Sequence, residues 1–164
     1  MALGNIIPFE NSNAASMNGA LPYVVASGTT ASINSGEPVT ISNTRPANVA
    51  RMATNSPTAT LRVVGVAAST STETLSVAGL VVVVPAAQGQ IWLIAPKVLA
   101  TWNTQALYNA LVGARVLIDL TSGVFTLLAA DAAGNGCIVE YLDVAKYPGM
   151  VAYSWSSLVD YRNV

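Results

Sequence analysis

Residues 79–95 read Gly-Leu-Val-Val-Val-Val-Pro-Ala-Ala-Gln-Gly-Gln-Ile-Trp-Leu-Ile-Ala. Leu80 to Val84 is an unbroken apolar run dominated by β-branched valine, the pattern of a strand covered on both faces. Pro85 ends it, because proline cannot donate to a strand ladder. The small residues that follow can reverse the chain, and Ile91 to Ala95 is apolar again, so the stretch predicts a buried hairpin. Residues 74–96 lack charge for the length of a bilayer span, yet Gly79, Pro85, Gln88, Gly89 and Gln90 break the run near its middle. Two strands are expected here, and no membrane partner.

Working outward, the same period of two recurs. Val39 and Ile41 oppose Thr40 and Ser42, and Leu61 and Val63 oppose Thr60 and Arg62. On the C-terminal side, Val116, Ile118 and Leu120 alternate with their neighbours, Thr121-Ser-Gly123 turns, and Val124 to Ala130 returns. Asp131 to Gly136 is a second turn leading into Cys137 to Leu142, so three adjacent antiparallel strands are expected. Lys146-Tyr-Pro-Gly149 predicts a type II turn before a last strand from Met150 to Trp155. The helical pattern is brief: Thr101 or Asn103 as cap, Ala106, Leu107, Tyr108 and Leu111 as an apolar face, and Gly113 as a left-handed stop, with the helix closing one end of the sheets. About nine or ten short strands and one short helix predict a mostly β fold, an antiparallel β-sandwich or an open β-barrel. Residues 1–22 show neither period and read as an extended N-terminal arm, leaving 23–164 as a single β-rich domain. The apolar knot Ile6, Ile7, Pro8 and Phe9 would dock either on the chain's own domain or on a neighbouring subunit.

Composition narrows function by exclusion. The 164 residues carry 7 Lys+Arg, 8 Asp+Glu and no histidine, and 52% are hydrophobic. Charge on 9% of residues, against roughly a quarter in ordinary domains, leaves a surface of Ser, Thr, Asn, Ala and Val suited to protein contact. The basic residues are scattered, with no stripe for phosphates, so no direct nucleic-acid partner is expected. The N-terminal residues carry no signal-peptide pattern. Cys137 is the single cysteine, and with no histidine to activate its thiol it reads as a core residue. A serine nucleophile would need Lys97 or Lys146 as base, and both adjoin turns where exposure keeps a lysine protonated. Asp119, Asp131, Glu140 and Asp143 are the densest carboxylates, but the Asp131–Gly136 turn offers too few oxygens for calcium. The chain is therefore expected to have no catalytic residues, no metal and no cofactor.

Aromatic side chains remain as anchors. Trp92 and Tyr141 are expected in the core by alternation, while Tyr153, Trp155 and Tyr161 fit either core or interface. The interface candidates are Ile6, Ile7, Pro8, Phe9, Tyr153, Trp155, Tyr161 and Arg162.

The segments Gly36-Glu-Pro-Val-Thr-Ile41, Val63-Val-Gly-Val-Ala-Ala68 and Gly79-Leu-Val-Val-Val-Val-Pro85 together resemble the small capsid decoration, or cement, proteins of tailed bacteriophages. The resemblance covers residues 36–95, about a third of the chain. It implies a non-catalytic virion protein on the capsid exterior, assembled in the bacterial host cytoplasm. Such a protein clamps neighbouring major capsid subunits against internal DNA pressure, commonly as a trimer. The competing expectation is a receptor- or carbohydrate-binding module of a phage tail or fibre, using loop aromatics and turn carboxylates such as Asp131 and Asp143.

Overall fold

The computed structural model describes residues 6–9, 20–28, 32–41, 48–52, 63–87, 90–128 and 137–156. Among these the chain is mostly β, with two sheets and one short helix. The strands are β1 (Ile7–Pro8), β2 (Leu21–Val25), β3 (Pro38–Ile41), β4 (Val49–Arg51), β5 (Val63–Ala67), β6 (Gly79–Pro85), β7 (Ile91–Ile94), β8 (Arg115–Thr121), β9 (Val124–Leu128), β10 (Cys137–Val139) and β11 (Val151–Trp155). The helix α1 spans Gln105–Asn109. β2-β4-β3-β5-β6 form a closed barrel, and β1-β7-β11-β10-β8-β9 form a six-stranded sheet. The paired strands run antiparallel except β2 and β4, which meet in parallel at Val25 and Val49.

The predicted hairpin between 79 and 95 does not form. β6 pairs with β2 and β5, whereas β7 pairs with β1 and β11, so the segment between them crosses from one sheet to the other. Nor is the valine run covered on both faces, since Leu80 and Val82 are exposed while Val81 and Val83 fill the barrel. A continuous apolar run hides its own alternation, because both faces carry the same residue type.

The six-stranded sheet curls on itself. Just after β7, Ala95 O accepts from Leu127 N at 2.9 Å and Lys97 N donates to Leu127 O at 2.8 Å, which brings β9 back beside the chain that leaves β7. The expected trio β8, β9 and β10 is present, with β8 between the other two. Its hairpin turn holds Ser122 at φ 52° and Gly123 at φ 81°, both positive as a two-residue turn matched to strand twist requires. The Tyr147-Pro148-Gly149-Met150 turn closes through Met150 N to Tyr147 O, as expected.

The helix, Gln105–Asn109, is shorter than the stretch expected between a cap at Thr101 or Asn103 and the stop at Gly113, and its cap is Thr104, whose Oγ1 accepts from Leu107 N. From Leu111 onward the bonds tighten to i→i+3, Leu111 N to Tyr108 O and Val112 N to Asn109 O, so the α geometry ends early. Leu107, expected on the buried face, is exposed, while Tyr108 is fully buried. The Tyr108 hydroxyl donates to Glu140 O and accepts from Ala152 N, each at 2.9 Å, which fastens α1 across the end of β10 and β11. Burial pushes that phenol up to about 12.

Two apolar clusters organise the core. The smaller fills the barrel with Val25, Ile33, Val39, Val49, Val64, Ala67, Val81 and Val83. The larger lies within the curled sheet and takes in Met52, Val63, Val66, Val84 and Ala86 from the barrel wall, so the two sheets share it. β5 serves both because its register with β3 slips by one residue: Val39 faces Gly65 but Thr40 faces Val63. The extra residue is a β-bulge, and it lets Val63 and Val66 face one core while Val64 and Ala67 face the other.

Two ion pairs reinforce this core. Arg51 Nε and Nη2 donate to the two oxygens of buried Glu37 at 2.9 and 2.7 Å. Lys97 Nζ lies 2.6 Å from Asp119, whose carboxylate also accepts from Thr121 at 2.6 Å. Burial alone would raise the Asp119 carboxyl, but the Lys97 and Thr121 contacts outweigh it and hold the group below the usual carboxylate range. A carboxylate depressed in the folded state contributes stability above its unfolded pKa, and that contribution is lost as pH falls through the folded value. Lys97→Met should therefore cost about 1–2 kcal/mol at neutral pH, the lysine being partly solvated, and less at an acidic pH below the usual carboxylate range. Paired melting curves at the two pH values check this.

Candidate assembly surface

The apolar knot at the N-terminus docks on its own chain. Ile7 pairs with Leu93 and Pro8 with Trp92, and Phe9 N donates to Ile91 O at 2.9 Å. Ile6 is buried, and its N–H donates to Gly36 O of the barrel at 2.9 Å, so four residues tie the barrel to the sheet. Phe9 packs against Tyr147, with ring centroids 5.3 Å apart. The expected boundary between arm and domain at 22/23 falls inside β2.

Tyr153 and Trp155, two of the residues that fitted either core or interface, lie in the core. They are buried on β11, stacked edge-on at 5.2 Å, with Tyr153 opposite Trp92 in the ladder. They have no surface to offer a partner, because β11 is an inner strand buried on both faces. Burial also raises the Tyr153 phenol. Trp92 and Cys137 are buried as expected. Tyr141 is not: it is 63% exposed, because β10 stops at Val139 and the alternation that would turn it inward stops there too. Tyr161, Arg162 and Asp131 lie outside the described residues.

The surface that sequence reasoning missed is on the barrel. Val24 sits opposite Leu80 and Pro22 opposite Val82 in the β2–β6 ladder, and all four face solvent. The loop before β6 adds Leu75 and Val77, held near β2 by Gly28 N donating to Thr74 O at 3.2 Å. The five large apolar residues Val24, Leu75, Val77, Leu80 and Val82 are between 36% and 77% exposed. Glu73 is the one charged residue in 20–25 and 72–85. The rest of the barrel wall shows why this face is distinctive: Val63, Val66 and Val84 of β5 and the end of β6 are covered by the sheet, and the β2–β6 face is not.

A second feature lies at the far end of the sheet. A groove of about 720 Å³ is lined by Leu99, Asn103, Gln105, Tyr141, Asp143, Val144, Ala145, Pro148 and Gly149. Gln105 pins its floor, donating to Leu142 O at 2.9 Å and accepting from Val144 N at 3.0 Å. No group of three His, Cys, Asp or Glu that could hold a metal occurs among the described residues, and none of their helices is long and apolar enough to cross a membrane. No known protein family, curated protein or solved structure matches the chain.

Proposed function

We propose that the protein is a non-catalytic structural component of a phage virion that decorates the capsid exterior and clamps neighbouring major capsid subunits, working as a homotrimer. The observation that carries this reading is the uncovered β2–β6 face. Large apolar patches rimmed by polar residues mark association surfaces, and this one sits in a chain whose low charge makes desolvation cheap. The doubly anchored barrel and sheet supply a rigid body behind it. The resemblance of residues 36–95 to cement proteins points the same way, since it covers β3 to β6, four of the five strands that build the barrel.

The test is native mass of the purified chain, together with its recovery in intact virions. A trimer that co-purifies with capsids is expected. Leu80→Lys and Val24→Lys place charge on the exposed face without touching either core, so they should lower trimer or capsid occupancy at least about tenfold while leaving the melting temperature within a few degrees. Unchanged assembly of both variants would refute the reading.

A further inference from the structure

The groove between α1 and the 141–149 segment has no part in the assembly reading, and its chemistry is specific. We propose that it binds an uncharged hexose, either free or as a unit of a polysaccharide.

Three observations select this ligand class. First, the groove offers an aromatic face with side-chain hydrogen-bonding groups around it. The exposed Tyr141 ring stands with Leu99 among the apolar lining, and a sugar presents a C–H face that stacks on such a ring. Asn103 brings an amide that both donates and accepts. Asp143 brings a carboxylate whose Oδ1 accepts from Ala145 N and Lys146 N at 3.0 and 3.4 Å, while no described residue bonds to Oδ2. A carboxylate oxygen and an amide lining one groove can both serve sugar hydroxyls.

Second, the backbone is spent. The N–H groups of Val144, Ala145 and Lys146 are taken by Gln105 Oε1 and Asp143 Oδ1, so a peptide strand finds no ladder to extend there. Third, the lining holds no Lys or Arg and one carboxylate, which repels phosphates and other anions. A volume of about 720 Å³ falls within the range of ~300–1,000 Å³ usual for small-molecule sites. The pinned floor means that little ordering is needed on binding.

The test is an amide chemical-shift titration of the full-length protein with D-glucose, D-galactose, D-mannose and N-acetyl-D-glucosamine. At least one should give saturable shifts confined to residues 103–105 and 141–149. Tyr141→Ala should weaken that binding about tenfold, and Tyr141→Phe, which keeps the ring, less than about threefold. Asp143→Asn keeps the Oδ1 acceptor for Ala145 and Lys146, so the turn survives while the charge is lost, and binding should weaken several-fold. Tighter binding of the linear tetrasaccharide than of its monosaccharide identifies the polysaccharide as the source, and equal binding the free sugar. No shifts at these residues with any of the four sugars, or unchanged affinity in Tyr141→Ala, would overturn the proposal. Either result leaves the assembly reading standing, because that rests on native mass and virion occupancy.

Discussion

Arg51→Met is expected to destabilise the protein by about 3–5 kcal/mol, the loss typical when one partner of a buried ion pair is removed. Glu37 lies on the barrel with its carboxylate buried and accepts four hydrogen bonds, two from Arg51 and two from Asn34. Without the guanidinium, a buried carboxylate keeps only the Asn34 contacts. The same Arg51 also donates to Gly123 O at 2.9 Å, and its guanidinium lies 5.1 Å from the Phe125 ring centre, so one side chain joins β4 of the barrel to the β8–β9 turn of the sheet. The double variant Arg51→Met, Glu37→Gln removes the stranded charge and should recover part of the loss. Urea unfolding of the wild type and both variants measures this, and a loss below about 1 kcal/mol in the single variant would show that solvent reaches the pair.

Gly65→Ala should cost about 3 kcal/mol or more, or prevent folding altogether. A Cβ at this position would land on the Val84 carbonyl oxygen and crowd the Pro85 backbone and a Val83 methyl. Backbone atoms on the facing strand cannot step aside as a flexible side chain can, so β5 and β6 would have to separate where they are paired, Gly65 to Pro85 and Val66 to Val84. Gly123→Ala provides the contrast. Its φ of 81° strains an alanine, but nothing lies within reach of the new methyl, so a cost of about 1 kcal/mol is expected. Soluble yield and thermal midpoint separate the two. Equal behaviour would mean that β5 and β6 tolerate a wider spacing.

These positions also mark where the sequence was informative and where it was not. Local signals worked: the Thr121-Ser-Gly turn, the Pro148-Gly149 turn, Gly113 and the strands around them depend on neighbours in the chain, so their chemistry is written at fixed offsets. The mostly β class followed from the same offsets. What failed depends on partners far along the chain. That β6 and β7 belong to different sheets is decided by which strands flank them, and a valine run followed by a small-residue linker looks the same whether the chain reverses or crosses over. The bulge in β5 left only a glycine as its trace. For the candidate surfaces, aromatic content pointed to Tyr153 and Trp155, which fill the core, whereas the open barrel face is built from valine and leucine that look like core residues in sequence. Tyr141 faces outward because β10 ends at Val139, three residues before the expected Leu142, and the alternation that would bury it stops there.

The seating of β1 has a consequence for how the polypeptide matures. All barrel pairings lie between residues 21 and 85, and the curled sheet draws on 91–155 with β1 as its sole outside contributor among the described residues. During synthesis Ile6 to Phe9 leave the ribosome well before Ile91–Ile94 and must wait for them before they find their place. Ile6 to Phe9 then act as a late latch, fastening the early half of the molecule to the half that emerges afterwards.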